Sequence, residues 1–249
     1  DAKLAQLSAV VEPARRARLL QAALGLTTAQ AQRVFAKGLV SDGALGDEDV
    51  EAVVRVLRSD RLTQGPEVPF FEAELAKYLG VKHVIAVNSG TAALHLALLA
   101  HGVGRDDLVI VPTFTFVATA NAILMCNGRT GFADISSTSL VTEMAGIVEI
   151  PKVVLSVGYA GQAVFAGSSF HDHGEDEIRK LAAIEDAAHS LGAVRLDGRQ
   201  VGATGTTTFS FHPVKSISTG EGGAIATDND EVAERCRLLR SHGQRPWWT

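Results

Sequence analysis

Apolar positions recur along this chain with two spacings. Short, mostly apolar runs at 83–87, 108–111, 130–134, 153–157, 181–184 and 207–211 have the length of strands. Stretches at 91–100 and 117–126 carry apolar residues at helical spacing. Two more helices are predicted upstream. One opens on Asp47, Glu48 and Asp49, carries Val50, Val53, Val54 and Leu57 as an apolar stripe, and has Arg55 and Arg58 toward its carboxyl end. Leu62-Thr63-Gln64-Gly65-Pro66 breaks it, and helical periodicity resumes over 68–78. Short apolar strands alternating with helices predict an α/β fold, with a mostly parallel central sheet and helices on both faces.

The first 44 residues follow a different pattern. Residues 12–23 are rich in Ala, Arg and Leu and predict a helix stopped at Gly25. Thr27 and Gln30 have the spacing of a capping box that opens a second helix through Leu39. We expect a helical N-terminal extension over 1–44, from a context unrelated to the rest, with no chemistry of its own. The chain starts at Asp1 with no initiator Met, and is expected to be a piece of a longer or processed protein.

Composition narrows the class. At 249 residues, with 46% hydrophobic and 20% charged residues, the chain is long enough to bury a full core. The net charge of −5 argues against a nucleic-acid binder, whose surface is distinctly basic. Two cysteines, Cys126 and Cys236, cannot build a disulfide framework, so a reducing, cytoplasmic setting is expected. Residues 108–125 hold no charge, but Pro112, Asn121, Thr113, Thr115 and Thr119 make them a poor membrane span. A buried strand followed by a buried helix accounts for them better.

In parallel α/β sheets, ligands bind where strands end and helices begin. Three such junctions carry candidate chemistry. At Val87-Asn88-Ser89-Gly90-Thr91, small residues let the backbone approach a ligand, and the helix-start N–H groups with the hydroxyls of Ser89 and Thr91 would suit a phosphate. An ordinary helix N-cap explains the same residues. At Ile184-Glu185-Asp186-Ala187-Ala188-His189, an acid and an imidazole end a strand. A buried Asp186 needs a partner, and a protonated ring nitrogen of a cofactor would serve; a capping aspartate and a surface histidine are the alternative. At Phe209-Ser210-Phe211-His212-Pro213-Val214-Lys215, the apolar flanks would desolvate Lys215 and free its amine for Schiff-base chemistry. A snorkelling surface lysine is the plain reading. The glycines of Gly220-Glu221-Gly222-Gly223 would let the main chain fold closely over a flat ligand. Phosphate cup, carboxylate and reactive lysine together are the parts that pyridoxal phosphate (PLP) chemistry needs.

At these residues the chain resembles the sugar aminotransferases of the DegT/DnrJ/EryC1/StrS family. The resemblance rests on LTQGPEVPFFEAELAKYLG (62–80), AVNSGTAALHLALLAHGVG (86–104), PTFTFVATANAIL (112–124), IEDAAHSLGA (184–193), FSFHPVKSISTGEGGAIATDNDE (209–231) and LLRSHG (238–243). It implies the large domain of a fold-type I PLP-dependent transferase over 45–243, followed by a tail at 244–249 in place of the small C-terminal domain. It implies that Lys215 joins the cofactor covalently and moves protons, and that Asp186 partners the pyridine nitrogen. By the same resemblance Ser89, Gly90, Thr91 and Ser210 hold the phosphate, Phe116 stacks on the ring, and His189 packs near the cofactor. Glu221 receives no role. Within the family, the LTQGP, TFVATANA and FSFHPVK stretches are most similar to enzymes of pseudaminic acid biosynthesis. That likeness implies a UDP-linked 4-keto-6-deoxy-N-acetylhexosamine as substrate and glutamate as amino donor; the family resemblance implies a homodimer, and charge and composition lead us to expect no nucleic acid and no membrane partner.

Departures from the family pattern are expected near 142–150 and 202–206, which look short, and at 165–180. There His171, Asp172, His173 and Glu175 read as a hydrophilic loop with incidental histidines rather than a metal site. Gly102-Val103-Gly104 lacks the third glycine of a dinucleotide fingerprint, and Ser89 has no nucleophile elbow around it. Family members that dehydrate sugars carry histidine where this chain has Lys215. A rival from another class is a catalytically silent homologue, serving as a dimer partner or surviving as a non-functional fragment.

Overall fold

The computed structural model describes residues 47–62, 64–136, 142, 149–163 and 181–244. The expected N-terminal extension and the histidine-bearing loop lie outside them, as do 143–148 and the last five residues. Helices α1 (Asp47–Leu57) and α2 (Glu67–Leu79) lead into strand β1 (His83–Val87). Then come α3 (Gly90–Ala100), β2 (Leu108–Pro112), α4 (Val117–Met125), β3 (Arg129–Ala133) and β4 (Val153–Val157). A 3-10 turn (Tyr159–Gly161) precedes β5 (Ala182–Asp186), β6 (Thr206–Ser210), β7 (Gly223–Thr227) and α5 (Asp230–Arg240).

The seven strands form one sheet in the order β1-β7-β6-β5-β4-β2-β3. Neighbours from β6 through β3 are parallel, whereas β7 is antiparallel to both β6 and β1. The mostly parallel sheet is therefore as expected, with one reversed strand that periodicity did not show. Gly223–Thr227 is entirely buried and made largely of small residues, so its sequence carries no alternation.

The sheet is covered on both faces. One core joins Ile85, Val109, Val111, Leu155, Ile184 and Ile225 of the strands to Leu94, Leu98, Ile123 and Val232 of α3, α4 and α5. A second packs Leu75 and Leu79 of α2 against Val84, Phe209, Ala224 and Ala226, and a small third one joins Ile110, Ala133 and Val154. Each fully buried Leu or Ile is worth about 1.5–3 kcal/mol relative to exposure. The charge-free 108–125 stretch is a buried strand as expected, followed by a helix buried on one face only: Ala118, Thr119, Ala122 and Ile123 face inward, whereas Val117, Asn121, Leu124 and Met125 are exposed. The stripe expected on α1 is only partly realised: Val50 is buried, but Val53 and Leu57 are exposed among the described residues. Periodicity marks a face able to be buried, and only packing decides how much of it is.

This topology gathers the carboxyl ends of β1, β2, β4, β5 and β6 at one edge. Register then lines up the residues there. Val157 of β4 pairs with Asp186 of β5, which pairs with Thr208 of β6. Paired parallel residues face the same way, so all three point to one side of the sheet.

Candidate active site

At that edge lies a cleft of about 520 Å³, a size typical of small-molecule sites. The β1–α3 junction forms its floor. Ser89 is the N-cap of α3, and its Oγ accepts the Ala92 N–H at 3.1 Å. The capping alternative thus holds for this hydroxyl, and the first-turn N–H groups of Gly90 and Thr91 need partners outside the helix. Two glycines make the junction possible. A Cβ on Gly90 would lie 2.7 Å from Cβ of Ser210, and one on Gly223 would lie 2.4 Å from the carbonyl oxygen of Ser89. Gly223 starts β7 between Val87 and Ser210, so the turn sits directly on bare backbone.

Asp186 ends β5 and is 6% exposed. Oδ2 accepts the Thr119 hydroxyl at 2.8 Å, and Oδ1 accepts the Ala188 N–H at 3.1 Å. Burial raises its pKa; these two hydrogen bonds and the charges of Lys215 and His189 oppose the rise. Lys215 follows β6 in a turn where its N–H donates to the His212 carbonyl at 2.9 Å. Partial burial lowers its pKa, against the pull of Asp186. The flanking Val214 is 78% exposed, so the desolvation comes from the cleft and not from that neighbour. His189 is largely exposed, and its pKa is lowered by desolvation and by Lys215.

All eight residues singled out from the sequence line this cleft: Ser89, Gly90, Thr91, Phe116, Asp186, His189, Ser210 and Lys215. Phe116 is the N-cap position of α4, with its ring 72% exposed at the cleft. Beside it, the rings of Phe114 and Tyr159 meet edge-on at 4.5 Å, and Tyr159 lies 5.8 Å from the His189 ring. Glu221, which had no role, also lines the cleft, 3.8 Å from Nε2 of His212. Thr119 escaped the sequence reading, although it bonds directly to Asp186. Its available signal was a threonine, a poor helix former, inside a helix whose other residues, Asn121 apart, are apolar.

The donor set fits PLP. A helix start with small neighbours suits a phosphate, a buried carboxylate with only neutral hydrogen-bond donors suits a protonated ring nitrogen, and a desolvated amine suits an aldehyde. Fold and cleft define the large domain of a fold-type I PLP-dependent transferase. Residues 44–249 match the DegT/DnrJ/EryC1/StrS aminotransferase family, and the chain belongs to it.

Among curated relatives, the chain is 38% identical over 204 residues to a UDP-4-amino-4-deoxy-L-arabinose–oxoglutarate aminotransferase of Shewanella sediminis, covering 80% of this chain and 52% of that protein. It is 38% identical over 205 residues to a UDP-4-amino-4,6-dideoxy-N-acetyl-beta-L-altrosamine transaminase of Campylobacter jejuni, covering 80% and 54%. Among solved structures, a Helicobacter pylori aminotransferase involved in the biosynthesis of pseudoaminic acid superposes with a TM-score of 0.70 at 34% identity. That match covers 83% of this chain and 57% of the other. The chain spans about half the length of the curated relatives it matches. Residues 2–56 separately match the second domain of SpoVK-like AAA ATPases. Among the described residues, no helix is long and apolar enough to cross a membrane.

Proposed function

We propose that this chain carries the cofactor site of an aminotransferase that converts a nucleotide-linked 4-keto sugar to its 4-amino form. The observation that carries the reading is the convergence of Lys215, Asp186 and the 89–91 turn in one cleft. Bound PLP supplies an aldehyde that takes up an amino group and a ring that accepts electrons when a neighbouring C–H bond breaks. Lys215 would hold the cofactor covalently, and its nitrogen, when free, would be placed to take the proton from the donor carbon as general base. A lowered pKa leaves more of this amine unprotonated for both tasks. Asp186 would hold a proton on the ring nitrogen and gain in return the counter-charge that its burial calls for. The start of α3 and Ser210 would hold the phosphate, Phe116 would supply an aromatic surface for the ring, and His189 would pack near the cofactor.

For the substrate we favour a UDP-linked 4-keto-6-deoxy-N-acetylhexosamine, with glutamate as donor. Support comes from the Campylobacter jejuni and Helicobacter pylori relatives, and the oxoglutarate named for the Shewanella sediminis enzyme is what glutamate leaves behind. A homodimer and a cytoplasmic setting complete the proposal, the latter supported by two buried free thiols, Cys126 and Cys236. In domain terms, 45–243 forms the PLP-binding unit and 1–44 a separate extension; the match of 2–56 to another family supports a distinct origin for the extension.

The test has two stages. The chain is incubated with PLP and borohydride, then peptide-mapped; the expected adduct is on Lys215, and its absence overturns the site. The PLP-loaded protein is next assayed with glutamate and a panel of UDP- and dTDP-linked 4-keto sugars. Transfer to a UDP-N-acetyl sugar alone supports the finer assignment, and exclusive use of dTDP sugars overturns it. An adduct without any transfer would make the chain a silent partner.

A further inference from the structure

Thr119 lies inside α4 with no solvent exposure. A buried threonine within a helix ordinarily satisfies its hydroxyl on a carbonyl of the preceding turn. This one instead donates to Oδ2 of Asp186 at 2.8 Å, across 67 residues of sequence. Its oxygen in turn accepts the Thr115 hydroxyl at 2.8 Å. Thr115 lines the cleft just before α4, at the position one helical turn back. Each hydroxyl has a single proton; that of Thr115 has the Phe116 carbonyl as another acceptor, but at 3.4 Å against 2.8 Å, so the shorter chain of donation runs from Thr115 to Thr119 to the carboxylate. The Ala188 N–H occupies the other oxygen at 3.1 Å. A proton arriving on Asp186 would therefore compete with donors already placed on both of its oxygens.

We propose that Thr119, backed by Thr115, is a positioning residue that fixes the plane of the Asp186 carboxylate and keeps it ionised for a cationic ring nitrogen. The inference rests on the reading of Asp186 as that nitrogen's partner. Hydrogen bonds to the charged form of a carboxylate favour that form, and linked hydroxyls strengthen one another. The opposing influence is burial, which pushes the Asp186 carboxyl up. Among the described residues, the other charged or titratable groups around it are Lys215 and His189, which act on it directly, Glu221, His212 and Tyr159, which line the same cleft, and the Glu185–Arg195 pair one residue back along β5.

Thr119→Val keeps the shape and removes the donor; Thr119→Ser keeps the donor. The decisive measurement is the carboxyl carbon NMR signal of Asp186, followed against pH in the PLP-free chain, together with the PLP dissociation constant by absorbance titration. Thr119→Val should raise the proton affinity of Asp186 and weaken PLP binding about tenfold, the low end for losing a hydrogen bond to a charged group. Thr119→Ser should restore both, a rescue that loss of core packing alone would not produce. Thr115→Val should move both in the same direction by less. It leaves Thr119 in place, so it carries the test if Thr119→Val does not fold. Unchanged Asp186 titration in the folded Val variants overturns the relay. Asp186→Asn binding PLP as tightly as the parent would instead overturn the role of Asp186 itself, and with it the purpose of the relay.

Discussion

Glu185 and Asp186 are neighbours on β5 and face opposite sides of the sheet. Both carboxylates are buried, at 4% and 6% exposure. Glu185 meets the guanidinium of Arg195, itself buried, within the chain. Asp186 has hydrogen bonds from a hydroxyl and a backbone N–H but no ion pair among the described residues, and it opens on the cleft. One acid thus has its counter-charge built into the fold, whereas the other has it only in part, from Lys215 and His189 nearby. A fold that tolerates a buried acid with incomplete compensation, at the rim of a cleft, is prepared for a cation that arrives with the ligand.

The sharpest way to break this comparison is Lys215→Ala. If the cleft is the PLP site, borohydride trapping should lose the adduct altogether; a persisting adduct at another lysine would move the chemistry elsewhere. Next in size, Asp186→Ala should slow transamination about ten- to a hundred-fold, the cost of losing a hydrogen bond to a charged group from the transition state. The adduct at Lys215 should still form. In contrast, Glu185→Gln leaves Arg195 buried without its carboxylate and should destabilise the chain by roughly 3–5 kcal/mol in denaturant unfolding. Equal stability losses at 185 and 186 would erase the distinction.

A pH series sharpens it further. Burial raises the Asp186 pKa, so the folded chain holds this proton more tightly than the unfolded chain. The stabilisation is complete below the unfolded carboxylate value, about 3.9, and is lost as pH rises through the folded one. In the PLP-free chain, Asp186→Asn should therefore remove part of the decline in melting temperature above about pH 4. The smallest effect concerns Ser89→Ala, which should cost about 1 kcal/mol through the lost N-cap. If the turn also holds phosphate, PLP affinity should fall beyond what an equally destabilising cap change elsewhere produces, such as Asn229→Ala at the start of α5.

Much of this was legible in the sequence because it is local. Strand β1 and helices α3 and α4 follow from apolar spacing, to within a residue at their ends. Ser89, Gly90, Thr91 and Phe116 sit at strand-to-helix junctions, Asp186 and His189 at the end of β5 and in the turns that follow it, and Ser210 and Lys215 at the end of β6 and in the turn after it; no helix follows β5 directly, contrary to the junction expected there. Their roles toward a cofactor rest on resemblance and await the experiments above. Helix α5 is not among the elements expected from spacing, although Asn229 caps it and Asp230 and Glu231 open it.

Sequence by itself determined the alternation of strands and helices, and hence a covered, mostly parallel sheet, since side-chain spacing dictates which faces avoid water. Only the tertiary structure decided that β7 runs backward between β1 and β6, that Gly223 lies under the Ser89 turn, and that Thr119 reaches Asp186. Those contacts join residues tens of positions apart. Pairing, register and side-chain direction across such separations depend on how whole elements pack, which no local pattern encodes.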